Sequence, residues 1–377
     1  MAHCSTVLSQ IVRIFPRHEF QALAKQYHVG QKFRSFSRWA QFVAMLSGQL
    51  TGRSSLRDIV ASLGAQGHKI YHLGIKLFSR ATLARANEQQ PHQLYEALFE
   101  KMLKRCQALA PRNKAFKFTG KVFLLDASLV ELTLSLFPWA TYRTTKGAAK
   151  LHVGLDADGY LPAFVDLTAG KEHEVNWARN LDLPKGSYVV FDRGFTDYTW
   201  YEELTEDGIF FVTRLKSNAV VTPGKCRSGR KSPGVIEDRQ IQLGKLSRTF
   251  RLVTYRDEET DIVYQFLTNA LDLTAKTVAD LYKERWQIEL FFKWIKQNLK
   301  IKSFLGTSRN AVLTQLWIAL CAYLVLAFLR FTSKIGASMQ QMLRLLQINL
   351  FERREFMDLF RPPDTTKQRQ IMQLQLT

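Results

Sequence analysis

Four cysteines in 377 residues, Cys4, Cys106, Cys226 and Cys321, are too few and too scattered to staple a fold. No two of them stand at zinc-ligand spacing, so a disulfide framework and a zinc finger are both excluded, and a reducing cytoplasm fits. A signal-peptide pattern is also missing, because Arg13, Arg17 and Glu19 interrupt any apolar run near the start. The longest unbroken apolar run, Leu316 to Leu329, falls short of the roughly 20 residues a membrane span needs. It reads as a buried core helix, and no membrane partner is expected. Internal repeats and low-complexity tracts are absent, which excludes solenoids and disordered tails as the main architecture. Acidic residues are scarce as well: 33 Asp and Glu face 53 Lys and Arg, a net charge of +20.

What is present is a core and a strong positive field. Apolar residues make up 46% of the chain and aromatic residues 12%, enough to bury real volume. A folded chain this basic implies a polyanionic partner, and nucleic acid is the usual one. The charge concentrates early: residues 1–120 hold 18 Lys and Arg against 5 Asp and Glu, and so carry +13 of the total. That third is the candidate for phosphate binding. Its periodicity predicts helices at Phe36–Gly52, Ser54–Gly64 and Pro91–Leu109, with a turn at Gly74. Two short helices carrying Arg53, Arg57, Arg80 and Arg85 could form a helix-turn-helix, and Arg53 and Arg57 are candidate DNA contacts.

After a basic linker, Pro111–Lys121, the pattern changes to strands. Val122–Ser128 and Ser187–Phe195 are apolar runs that meet an aspartate, and Ala149–Gly170 is two strands around an Asp-Gly turn. Helical stretches then alternate with strands, which gives a mixed α/β sheet. A basic loop and further strands at 217–268 break the rhythm and read as a small β insertion. From Thr274 a helical segment runs to about Leu299, the apolar helix follows, and a basic helical tail begins near Gln340, with Arg361–Asp364 expected to end the ordered part. The expected organisation is a helical DNA-binding domain at 1–118, an α/β core at 119–216 and 269–335 interrupted by the insertion at 217–268, and a tail at 336–377.

Two strands thus end in a carboxylate, Asp126 and Asp192. Ionised side chains at the end of apolar strands cost solvation energy, and two of them on neighbouring strands repel unless a cation lies between them. The helix Tyr282–Gly306 adds a third. At 100° per residue, Tyr282, Arg285, Glu289 and Lys296 share one 60° arc, with Leu290, Ile295 and Leu299 free to face the core. Phosphodiester cleavage needs an activated water and a stabilised leaving oxygen, which two Mg²⁺ ions supply while asking little of the protein beyond carboxylates. Asp126 would bridge the metals, and Asp192 and Glu289 would each hold one. Arg285 and Lys296 would grip phosphates, Tyr282 would hydrogen-bond one, and Trp286 would stack on a base or sugar. His152 reads as a core group, His173 and Glu174 as an ordinary helix start that could also approach the site, and Asp156 and Asp158 as turn residues. Asp166 has no second carboxylate at a matching spacing.

At these residues the chain resembles the DDE transposases of bacterial insertion sequences, in the branch with a Tyr-Arg-Glu-Lys signature. The signature is met by Tyr282, Arg285, Glu289 and Lys296, the second aspartate lies in Asp192-Arg193-Gly194-Phe195, and the first in Asp126-Ala127-Ser128. Lys146–Asp156 and the helical stretch from Arg34 to Val60 add to the likeness. It implies a ribonuclease H-like core with a β insertion, and Asp126, Asp192 and Glu289 as catalytic metal ligands for two Mg²⁺, with Mn²⁺ as a substitute. It also implies cut-and-paste movement, often through hairpin ends, with 3′-OH strand transfer. The partners would be the terminal inverted repeats and target DNA, with a homodimer in the synaptic complex on the nucleoid. Some relatives hold a flipped base with a tryptophan of the insertion. Here no Trp lies between Trp200 and Trp286, which leaves Tyr255, Tyr264 or Phe266 for that role. A silent DNA-binding regulator and a structure-specific nuclease on the same fold are the competing readings.

Overall fold

A computed structural model of the chain describes residues 5–30, 36–132, 141–143, 146–227, 232–244, 246, 248–299, 301, 304–333 and 336–360. Two compact units separate: Met1–Leu109 with Gln297–Thr377, and the intervening Ala110–Lys296. The expected end of order at Arg361–Asp364 lies outside the described residues.

The first unit is helical, as its apolar spacing requires. It begins with α1 (Val7–Arg13), α2 (Arg17–Gln26), α3 (Arg38–Leu50), α4 (Leu56–Ala65), α5 (Gly67–Ile70), α6 (Arg80–Gln89) and α7 (Gln93–Leu109). Hydroxyls start four of these helices. Thr6, Ser37, Ser55 and Ser79 accept the backbone N–H of Ser9, Ala40, Asp58 and Thr82, closing a donor that the first turn leaves open. All of α3 is buried, including its polar residues. Two of those donate across the unit: Gln41 to Asn87 at 2.9 Å and Arg38 to the Pro91 carbonyl at 2.6 Å.

The second unit is built on one ten-stranded sheet. Its strands are β1 (Val122–Leu132), β2 (Thr141–Arg143), β3 (Lys146–Asp156), β4 (Leu161–Ala169), β5 (Tyr188–Val190), β6 (Phe210–Arg214), β7 (Val221–Cys226), β8 (Val235–Leu243), β9 (Thr249–Arg256) and β10 (Val263–Thr268). The helices are α8 (Glu174–Ala178), α9 (Tyr198–Glu206), α10 (Ala275–Glu284) and α11 (Trp286–Asn298). Strand order is β2-β3-β1-β5-β6-β10-β9-β8-β7, with β4 also on β3. Pairing is parallel from β1 to β5 and from β5 to β6, with α9 as the second crossover, and antiparallel elsewhere. This is the mixed sheet the sequence pattern calls for. On one face Phe123 and Leu125 of β1 join Phe191, Phe195, Trp200, Tyr201 and Phe211 in an aromatic core.

Three local expectations change. The segment at 217–268 does not stand apart: β10 pairs β6, so β7 to β10 continue the core sheet. The stretch around Pro223, expected as loop, contains β7, and the proline is tolerated because β7 is an edge strand paired only with β8. The helical segment from Thr274 is two helices, broken at Arg285, whose N–H reaches the Tyr282 carbonyl in a tight three-residue turn. No proline or glycine forces this break.

The chain then returns to the first unit with α12 (Arg309–Ser333) and α13 (Met339–Asn349). By length and composition α12 could cross a membrane, but it is buried without interruption from Ala311 to Ala327. It packs on α7, α3, α6 and α13, so the core-helix reading holds.

Candidate active site

The site forms where β1 parts from β5. Their parallel register ends at Leu124 against Val190, while β3 stays paired with β1 as far as Leu132. Asp126 therefore lies inside an eleven-residue strand, opposite Val153, and not at a strand end as expected. Alternation along β1 sends Phe123 and Leu125 into the aromatic core and turns Asp126 and Ser128 to the other face. Asp192 stands two residues beyond β5, where its carboxylate accepts the Gly194 N–H at 2.7 Å and caps the short turn Arg193–Phe195. Its backbone carbonyl accepts from Thr213 at 3.3 Å, which fixes the strand end.

Glu289 comes from α11. Arg285, at the break between α10 and α11, joins it to β1: one guanidinium nitrogen is 2.5 Å from Glu289 and another 3.8 Å from Asp126. Burial first, with Asp192 and Glu289 adding to it and the Ala127 N–H and Arg285 opposing, pushes the Asp126 carboxyl up to about 7. The three carboxylates thus share one electrostatic neighbourhood. Among the described residues no three His, Cys, Asp or Glu side chains converge closely enough to enclose a single ion.

The other signature residues gather on the same side of β1. Lys296 donates to the Ser128 hydroxyl at 2.5 Å and to the Leu129 carbonyl at 3.0 Å. The half-buried Tyr282 has its ring 4.9 Å from Phe266 and the Arg285 guanidinium 5.7 Å from its centroid. Burial raises its phenol above the usual range, with Arg285 and Arg214 opposing and Asp192 adding to the rise. From there a stacked ladder runs outward: Phe266 on Tyr264 at 5.7 Å, and Arg214 over Tyr264 at 4.9 Å. Trp286 stands 57% exposed. Of the residues expected to face the core, Ile295 and Leu299 do so, but Leu290 is 40% exposed, because the break at Arg285 resets the helical phase. Among the aromatic candidates of the insertion, Tyr255 and Phe266 are buried and Tyr264 is partly open.

Arg53 and Arg57 belong to the first unit. Arg53 donates to Ser62 at 3.2 Å. Arg57 lines a cavity of about 420 Å³ at the start of α4, together with Arg80, Asp58 and Phe304.

His152 is fully buried on β3, hydrogen-bonded to Thr168 at 2.8 Å and stacked on Trp177 at 5.1 Å. Burial pushes its imidazole down to about 4, so it is a neutral core group. Asp156 is more than a turn residue: it is buried and ion-paired with Lys121 at 2.5 Å. Glu174 is more than a helix start. One of its oxygens lies 3.2 Å from the Lys150 ammonium. The other would lie 2.5 Å from a Cβ placed on Gly194, a point only 2.9 Å from Asp192 Oδ1. The approach that the sequence left open for Glu174 is therefore made, at the Gly194 turn beside Asp192.

The mixed sheet thus holds Asp126, Asp192 and Glu289 in one electrostatic neighbourhood beside Arg285 at the start of α11. The family follows directly: a model of the transposase DDE domain matches residues 117–325, and the chain belongs to that family, among the transposases of bacterial insertion sequences. Residues 3–76 match a domain of unknown function, DUF4372. A Sinorhizobium fredii protein named as the transposase y4zB is 35% identical over 64% of this chain and 69% of its own length. One from Geobacillus stearothermophilus, named for the insertion sequence element IS5377, is 29% identical over 68% of each. A solved piggyBac transposase synaptic complex with hairpin DNA aligns at a TM-score of 0.49 and 11% identity, covering 98% of this chain and 84% of that one, and nothing rests on it.

Proposed function

We propose that this transposase moves its own insertion sequence by cut-and-paste, with Asp126, Asp192 and Glu289 as its catalytic carboxylates. The observation that supports this most is Arg285 spanning Asp126 and Glu289 while Asp192 bears on the same neighbourhood. Carboxylates that together raise the proton affinity of Asp126 suit hard divalent cations, which relieve that repulsion and keep most of their shell for water and phosphate. Asp126 would serve two Mg²⁺ ions in common, Asp192 and Glu289 one each, and Mn²⁺ would substitute. When bound, the ions supply an activated water and a stabilised leaving oxygen.

The chain's own residues position the DNA. Arg285 and Lys296 grip phosphates beside the scissile bond, Tyr282 donates to a phosphate oxygen, and the exposed Trp286 offers a ring to a base. If a hairpin forms at the element end, Tyr264 is the insertion aromatic able to take a flipped base, since Tyr255 and Phe266 are buried. Arg53 and Arg57 contribute to binding the terminal inverted repeats, and two copies pair two ends on the bacterial nucleoid in the cytoplasm.

An excision assay tests this reading. Purified protein, Mg²⁺ and a plasmid carrying the gene's native flanks are compared with Glu289→Gln. Flank-specific double-strand breaks by wild type alone support it, and the end structures show whether hairpins form. Cutting by both proteins, or by neither while the flanks are bound, overturns it.

A further inference from the structure

Glu174 lies outside the signature, yet it touches the turn that carries Asp192. Its Oε1 is 3.2 Å from Lys150 Nζ, which also donates to the Glu172 carbonyl at 2.7 Å. Its Oε2 and Asp192 Oδ1 flank Gly194 at 2.5 and 2.9 Å from the position of a β-carbon. The Glu174 carboxylate thus reaches from the Lys150 ammonium to the turn that carries Asp192, on the face of the sheet away from Asp126. Lys150 is little exposed, with 14% of its side chain open, so removing its partner anion would leave a poorly solvated cation.

We infer that Glu174 is a positioning residue that holds Lys150 off Asp192. With the Glu174 carboxylate in place Lys150 has its partner, and Asp192 stays open to the cation side of the site. Without that charge, Lys150 turns past the Glu174 position to Asp192 and competes there with any divalent ion. Glu174 and Lys150 therefore act as a neutral pair whose product is a free Asp192. The inference rests on the proposed role of Asp192.

The test is Mn²⁺ binding by electron paramagnetic resonance on the full chain without DNA, alongside the Mg²⁺ concentration that half-saturates end cleavage. Glu174→Gln is expected to weaken Mn²⁺ binding about ten-fold, the scale on which supporting groups tune metal sites. Its half-saturating Mg²⁺ should rise by a similar factor, while the maximal rate at saturating metal stays close to wild type. The double variant Glu174→Gln with Lys150→Met removes the competitor and should return binding to near wild type. A merely structural role for Glu174 would leave the double variant no better than the single one. Unchanged Mn²⁺ affinity in Glu174→Gln, or no recovery in the double variant, overturns the inference. Asp192→Asn separates the two layers: if it binds Mn²⁺ as wild type does, the proposed role of Asp192 fails; if it alone loses affinity, only the Glu174 inference fails.

Discussion

At Gly194 a missing side chain does the work. Glu174 and Asp192 press on it from two sides, so even a methyl group would displace one of them. Gly194→Ala should leave the fold intact by circular dichroism and lower single-turnover end cleavage by about 100-fold, the cost of misplacing a reacting group by an ångström. A rate within a few-fold of wild type would show that the turn yields freely. His152 gives a second residue-level expectation. Its folded pKa lies near 4, below the ordinary imidazole value of 6.5, so the folded state prefers the neutral ring. Its contribution is fully present above pH 6.5 and is lost as pH falls through about 4. Over that window wild type should lose up to about 3 kcal/mol more stability than His152→Gln, measured by urea unfolding at each pH. Parallel curves would mean that the ring is not held neutral.

At the scale of elements, the sheet carries the site and the insertion aims it. Arg251 on β9 is fully buried, pairs bidentately with Asp238 of β8, and donates to the carbonyls of Ala270 and Leu273 just before α10. One side chain thereby ties the continued part of the sheet to the start of the helix pair that delivers Tyr282, Arg285 and Glu289. Arg251→Met leaves Asp238 without its buried partner and should cost about 3–5 kcal/mol of unfolding free energy. It should also speed amide exchange in α10, and unchanged exchange there would detach the insertion from the aiming of the helix. None of this was legible beforehand, because a buried ion pair between neighbouring strands leaves no periodic mark. The strands themselves were legible, since apolar runs and the Asp-Gly turn are local signals. The extent of β1 was not: Asp126 looked like a strand end because polarity rises there, whereas β3 stays paired beyond it. The break at Arg285 was hidden for a related reason: the residues on either side are good helix formers, and only the chain's path shows where one helix stops.

Over the whole molecule, binding and chemistry are expected to separate. The first 120 residues carry most of the net charge, and the carboxylates lie in the second unit. Arg53→Ala or Arg57→Ala should weaken binding to the element ends and reduce its salt dependence by about one unit of log–log slope per lost phosphate contact. Glu289→Gln should keep both affinity and slope while abolishing cleavage. Equal loss of binding in all three would remove the division. The candidate carboxylates Asp126, Asp192 and Glu289 could be named from residue types and spacing, and Glu174 only as a helix start able to approach the site; its place beside Gly194 and the Asp192 turn depends on the chain's path.

The buried helix α12 also sets a timetable. On the ribosome, α1 to α7 emerge first, at some 5–20 residues per second, and more than 180 residues of the other unit follow before α12 appears. Until then α3 and α7 lack the surface against which they pack. A nascent or prematurely terminated chain therefore holds an incomplete helical unit with open apolar faces, a substrate for chaperones and proteases. Synthesis must be nearly complete before that unit can close, so truncated copies of the gene should yield protein that is cleared rather than protein that competes for the element's ends.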